Sequence, residues 1–245
     1  MRIISTLFLT LFALPAMAAS PTSFVSGPGV TAGETSVEVR GGYSLDDERA
    51  GLDNRWQFRE HVDHGFNDLY ALRIIAAQND RRGEDFEHSS ISVENRFQIF
   101  NEAQDGFDGG FRISYGHNKG STADNVGLNL IGQKKLMNSW TTRHNITLSH
   151  EVGSDADDGL SLGLRHQTMK TIAFEPLSAA SIGIEMFNDF GNLSNQSGYS
   201  DQDHQIGPVF KGKFDNGISF ETGYRLGVSR AARDHLFKLG VAKSF

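Results

Sequence analysis

The feature that most constrains this chain is an alternation of apolar and polar residues, repeated in segment after segment. In "TSVEVRGGY", Val37, Val39, Gly41 and Tyr43 share one face, opposite Ser36, Glu38, Arg40 and Gly42. In "LDNRWQFREHV", Leu52, Trp56, Phe58 and Val62 oppose Asp53, Arg55, Gln57, Arg59 and His61. "SSISVENRFQIF" separates Ile91, Val93, Phe97 and Ile99 from Ser92, Glu94, Arg96 and Gln98. "GGFRISYG" sets Phe111, Ile113 and Tyr115 against Arg112 and Ser114. The chain ends the same way, with Phe237, Leu239, Val241 and Phe245 on one parity and Lys238 on the other. Successive side chains of a strand point to opposite faces, so a period of two is the signature of a half-apolar strand.

Twelve such segments follow one another, at about 35–43, 52–62, 68–77, 89–100, 107–117, 125–135, 140–151, 159–168, 178–188, 203–213, 217–227 and 235–245. Their connections alternate in length. Odd-to-even links such as SLDDERAG, NDRRGEDFEH and FNDFGNLSNQSGYSDQ are long and polar. Even-to-odd links such as DHGFN, EAQDGF, LMNS and DNG are short, and only the one around 174–176 is longer. Long outer loops, tight inner turns, an even strand number and both termini on the inner side are the plan of a bacterial outer-membrane barrel. The predicted fold class is therefore all-β: a 12-stranded antiparallel transmembrane β-barrel of the outer-membrane type. Segments of this length cross a thin bilayer at a tilt, and closure lets every backbone polar group in lipid find a partner. A soluble β-sandwich or lipocalin-like barrel is the competing fold, and it would bury the apolar face instead. Pro208 lies inside a segment and has no N–H to donate, which predicts a bulge or misregister there. Lys243 falls on the apolar parity of the last segment, a place for a register error unless its ammonium snorkels to an interface.

The first residues set the compartment. Arg2 precedes an apolar run from Ile3 to Leu14, followed by Pro15 and an A-x-A site at Ala16-Met17-Ala18. Residues 1–18 are expected to be a secretory signal peptide, and 19–245 the barrel. With no Cys, disulfides, thiol catalysis and thiolate metal sites are excluded. A net charge of −7 argues against a nucleic-acid partner. Nothing in the pattern implies a cofactor.

The charge is unevenly divided between the two parities. The polar parity carries Arg40, Arg55, Arg59, Arg73, Arg96, Arg112, Arg143, Arg165 and Arg225, with Lys135, Lys211, Lys213 and Lys238. Its acids are fewer: Glu38, Asp53, Glu94, Glu151, Glu185 and Glu221. Compensating carboxylates crowd the long links at Asp46, Asp47, Glu48, Glu84, Asp85, Glu87, Asp155, Asp157 and Asp158. With the apolar parity towards lipid, the basic parity lines the lumen. Two arrangements follow. The arginines pair with Glu38, Glu94, Glu185 and Glu221 and fill a narrow barrel, or their surplus lines a wet pore that favours anions.

The stretch "VEVRGGYSLDDERAGLDNRWQFREHVDHGF" resembles the first hairpin of the small monomeric porins typified by the oligogalacturonate-specific porin and the sialic-acid-inducible channel. The carrying residues are Val39-Arg40-Gly41-Gly42-Tyr43, a polar loop, and a strand bearing inward Arg. The resemblance implies a monomeric passive channel for acidic sugars or oligosaccharides, with Arg40, Arg55 and Arg59 on an arginine track. Pore-lining roles for Arg73, Arg96, Arg112, Arg143, Arg165, Arg225 and Lys211 rest on parity alone. The chain differs from that family in carrying only two Trp.

Two other functions remain open. A non-conducting structural or adhesive barrel would use FNDFGNLSNQSGYSDQ as a binding loop. An outer-membrane lipid hydrolase would need Ser, His and Asn together. Ser149-His150 and His144-Asn145 offer those residue types, but adjacent strand residues point to opposite faces. His61, Asp63 and His64 cluster near an inner turn, a place to titrate or to bind a metal weakly; surface histidines are the expectation there. "SDADDG" resembles half a calcium loop without its bidentate Glu, and is expected to be solvated. The expected partners are outer-membrane lipid and lipopolysaccharide, an anionic small solute, and the barrel-assembly machinery, whose recognition signal the terminal Phe245 resembles.

Overall fold

The structure is a computed structural model that describes residues 20–46, 54–80, 86–137 and 139–245. The expected leader, Leu52 and Asp53, and the loop acids Asp47, Glu48, Glu84 and Asp85 lie outside the described residues. Twelve strands form: β1 (Thr35–Leu45), β2 (Arg55–Gly65), β3 (Tyr70–Asn79), β4 (Glu87–Phe100), β5 (Asp108–Asn118), β6 (Asp124–Lys135), β7 (Trp140–Val152), β8 (Ser161–Ile172), β9 (Ala179–Asn192), β10 (Asp203–Lys213), β11 (Ile218–Gly227) and β12 (His235–Ser244). Each pairs antiparallel with its neighbours in sequence, and β12 returns to β1 to close the barrel. The largest departures from the expected limits are in β8 and β9. These strands run on together because their ladder extends from Ile172↔Ala180 to Ser161↔Asn192.

The short even-to-odd turns lie at the same end as the chain's last residue, which defines the inner end. There Asn101 caps a one-turn helix α1 (Glu102–Asp105), its side chain accepting from the Ala103 N–H at 3.0 Å. Lys135, expected in the lumen, is instead exposed at this rim and pairs with Glu102 at 2.6 Å. The strand has run out of the barrel at its last residue, so parity no longer dictates direction. Hydrogen bonds from Lys135 hold the Glu102 carboxyl below its ordinary pKa.

The barrel is packed inside out. Val39, Ile113 and Leu239 point outward and are about half exposed, whereas Gln167, Glu185 and Arg225 point inward and have no exposure at all. That exterior matches hydrocarbon, and aromatic pairs gather near its two edges, as interfacial girdles do. Tyr43 packs on Trp56 at 4.7 Å near the outer end, and Phe97 on Phe111 at 4.8 Å and Phe100 on Phe107 at 4.9 Å near the inner end. A soluble barrel would bury this apolar face; the chain folds as an outer-membrane barrel.

Pro208 does not shift the register. Its pairing with Ile184 of β9 is continuous with the pairs on either side. On the β11 side the ladder stops at Ile206↔Leu226 and resumes at Val209↔Gly223, the same number of residues along each strand. The missing N–H removes a rung without inserting a residue. Register shifts occur elsewhere, at Ala77/Gln78, Gln98/Phe100 and Leu162/Gly163. Nor does Lys243 break the register, since it pairs opposite both Val37 and Ile218. Its Nζ lies 5.4 Å from the Phe245 ring centre at the inner edge, the snorkelling geometry.

Leu239 sits midway along β12 and faces out. Leu239→Arg should lower the unfolding free energy in phospholipid vesicles by about 2–4 kcal/mol, the cost of a guanidinium near the bilayer midplane. Urea titration followed by tryptophan fluorescence measures it; an unchanged midpoint would remove Leu239 from the lipid face.

Candidate functional site

The inward parity puts ionisable groups where water is scarce, so they organise by pairing. One network covers β1 to β5. Asp63 accepts from Arg73 Nε at 2.6 Å and also from Arg96. Glu94 lies 3.8 Å from Arg73 and 3.6 Å from Arg112, and Arg40 bonds Glu38 at 2.7 Å. A second network covers β9 to β12. Lys238 Nζ donates to Glu185 and Glu221, both at 2.6 Å. Lys211 meets the other oxygen of Glu221 at 2.7 Å, and Arg225 Nε stands 3.9 Å from Glu185. Arg143 donates to Gln133, whose amide donates in turn to Asp108 at 3.0 Å.

The stretch preceding β1 enters the barrel. From Gly33, whose N–H bonds the Gly65 carbonyl at the inner rim at 2.7 Å, the chain runs back into the lumen. Ser26 and Asn145 bond twice: Ser26 N–H to Oδ1 at 2.8 Å, and Nδ2 to the Ser26 carbonyl at 2.9 Å. Arg112 donates to Ser26 Oγ at 3.0 Å and the Gly27 carbonyl at 3.3 Å. Arg96 donates to the Gly29 carbonyl at 3.1 Å, and Arg225 to the Ser20 carbonyl at 2.9 Å. Phe24 is buried between Arg40 and Lys238, whose cationic centres lie 4.4 and 4.3 Å from its ring centre, and Val25 packs with Phe187. The wall is cut to admit the segment. A Cβ on Gly42 would stand 2.6 Å from the Pro21 carbonyl carbon, and one on Gly240 would stand 2.5 Å from the Phe24 ring.

Two cavities flank the segment. The outer one, about 690 Å³, has Ser20 and Ser23 against its inner side and is walled by Arg55, Arg59, Arg112, Arg165, Glu94 and Asp189, among others. The inner one, about 270 Å³, is lined by Phe24, Glu38, Lys211, Lys213 and Glu221. The ten basic residues expected to line a pore therefore fall into distinct settings. Arg73, Arg96, Arg112, Arg225 and Lys211 belong to the networks, and Arg40 bonds Glu38. Arg143 lies against the segment, 3.5 Å from where a Cβ on Gly27 would be. Arg55, Arg59 and Arg165 face the outer cavity. Arg59 and Arg165 have no ion-pair partner among the described residues, and Arg59 Nε has no hydrogen-bond partner there.

Other expectations need correction. His61 is buried, and Asp63 is buried with it; both belong to the lumen rather than to a surface turn. They lie two and four positions beyond Arg59, so their inward direction follows from the same parity. His61 Nδ1 comes only within 4.0 Å of Glu38. His64, on the other parity, does stay outside, bonded to Thr35 at 2.8 Å. Ser149 lines the outer cavity, while His150 bonds the Gly159 carbonyl at 2.7 Å. His144 turns to His166 at 3.1 Å, on the wall opposite to the inward Asn145. Pairwise parity keeps the hydrolase residue types apart.

Fold and lumen together define a class: a twelve-stranded outer-membrane barrel with a charged, networked interior. No family model matches the chain, and no curated protein matches it in sequence. Solved structures do. The KdgM porin in complex with disordered oligogalacturonate is similar over 86% of this chain and 99% of that one, at a TM-score of 0.59 and 14% identity. The COG4313 outer membrane channel from Pseudomonas putida F1 is similar over 91% and 99%, at 0.63 and 12%. For the NanC porin the figures are 84% and 98%, 0.55 and 12%. At these identities the likeness is one of fold.

Lys238 holds two buried carboxylates together. Lys238→Met should destabilise the barrel by about 3–5 kcal/mol, because buried Glu185 loses its hydrogen-bonded cation and keeps only Arg225 at 3.9 Å, while Glu221 retains Lys211. Lys238→Met combined with Glu185→Gln should recover part of that loss. Unfolding midpoints in urea test both, and a neutral single variant would mean that water already reaches the pair.

Proposed function

We propose that the barrel is a passive outer-membrane channel for small anionic solutes, with acidic sugars or oligosaccharides as the solute class. The observation that carries this is the outer cavity of about 690 Å³ faced by Arg59 and Arg165. Guanidinium groups present a rigid donor fork suited to carboxylates, and they raise the local anion concentration at the mouth of a low-dielectric channel. Beyond the cavity, the basic members of the two networks continue the positive parity inward, so an anion moves between exchangeable partners. The ten residues Arg40, Arg55, Arg59, Arg73, Arg96, Arg112, Arg143, Arg165, Arg225 and Lys211 are the proposed lining of this path. The shared fold with outer-membrane channels supports the channel reading. The KdgM porin, solved with oligogalacturonate, supports an acidic sugar.

A second reading, a non-conducting structural barrel, is favoured by the segment lodged in the lumen. Planar-bilayer recording in a KCl gradient separates the two. The expected result is a reversal potential of anionic sign; cation preference would overturn the anion channel, and the lack of any conductance under all conditions would favour the structural barrel. Arg59→Ser with Arg165→Ser should lower the anion-to-cation permeability ratio by at least about twofold, since rings of basic residues set that ratio. An unchanged reversal potential would show that permeating ions do not pass these side chains.

A further inference from the structure

The segment 20–29 stands between the two cavities, and the way it is held differs from the way the wall is held. It carries no Asp, Glu, Lys or Arg, and none of its residues joins a strand ladder. Its anchors to the basic side chains are largely neutral carbonyls: Ser20 for Arg225, Gly27 for Arg112 and Gly29 for Arg96. A carboxylate offers a guanidinium opposite charge and two parallel N–H···O bonds, which a single neutral carbonyl does not. These guanidiniums also retain unused donors, because the Nε atoms of Arg96, Arg112 and Arg225 have no hydrogen-bond partner among the described residues.

We propose that segment 20–29 is a tethered stopper, bound in the lumen as a neutral stand-in for the permeating anion and displaced when an anion takes over Arg96, Arg112 and Arg225. This rests on the channel reading and says how such a channel is kept shut at rest. The tether is the inner rim: Gly33 bonds Gly65 at 2.7 Å, and Thr35 and Phe245 exchange bonds at 3.3 and 2.8 Å. Those contacts lie outside the stopper and need not break. A released stretch of ten residues reaches at most about 35 Å, so it leaves through the inner mouth and can return to the same site. The clearances at Gly42 and Gly240 are then a seat shaped for a removable part.

The chain has no Cys, so a single disulfide can be introduced cleanly. Ser26→Cys with Asn145→Cys, at the doubly bonded pair, would tie the segment to the wall of β7. In planar bilayers the oxidised full-length barrel should conduct several-fold less than the same molecules after dithiothreitol. Equal conductance in the two states would overturn the stopper and leave the channel standing. In Ser26→Cys alone, citrate should speed modification by a charged thiol reagent several-fold over an equal ionic strength of a neutral-pH zwitterion buffer with KCl. A rate indifferent to citrate would overturn the anion competition. Removal of residues 20–29 provides the last arm: a folded barrel that conducts more than the full chain supports the stopper. One that folds and conducts nothing overturns the channel reading and the stopper with it.

Discussion

Everything in this molecule follows from the backbone having no water to bond to inside a bilayer. A polar backbone group left open in lipid costs several kcal/mol, so the sheet must close on itself. Closure is made by β12 returning to β1, in a ladder from Ser36↔Ser244 to Leu45↔His235. This constraint explains why Pro208 is tolerated only as a missing rung with the register kept. A slip of one residue would turn every side chain of the strand to the wrong face, putting Lys211 into lipid and Phe210 into the charged lumen.

Once the wall is closed, the second problem is electrostatic. Apolar residues must face out, so charge accumulates inside, in a space too narrow to hydrate it fully. The two networks answer with carboxylates shared between cations, Asp63 between Arg73 and Arg96 and Glu185 and Glu221 on Lys238. What the carboxylates leave over is met by the segment before β1, whose carbonyls take further guanidinium donors. Its Phe24 places an aromatic face between Arg40 and Lys238, a contact that offsets charge without adding any. Arg59 and Arg165, beyond its reach at the outer cavity, remain the groups with the most to gain from an anion.

Much of the wall was legible in residues read two at a time. The strand limits, the alternation of long and short links and the inward direction of Arg40, Arg112 and Lys238 all follow from period two. Parity fixes direction only within a strand, and there it overrides residue type. His61 and Asp63 continue the parity of Arg59 and face the lumen, although histidines clustered beside a turn suggest a surface site. Lys135 is exposed at the rim because its strand stops at that residue. The segment around Phe24 gave only a weak signal, an uncharged stretch with Pro21, Pro28 and several small residues, which reads equally well as a linker.

The sequence by itself determined the number of strands, the face each side chain takes and the basic bias of the interior, because these are local consequences of pleating and of hydrocarbon outside. Which carboxylate meets which arginine was decided by strand stagger, a property of the closed cylinder that no single segment carries. The lodging of residues 20–29 in the lumen was likewise decided only in three dimensions. It requires Gly42 and Gly240, about two hundred residues apart in the chain, to open a space on adjacent strands, and guanidiniums from β4, β5 and β11 to converge on one stretch of carbonyls.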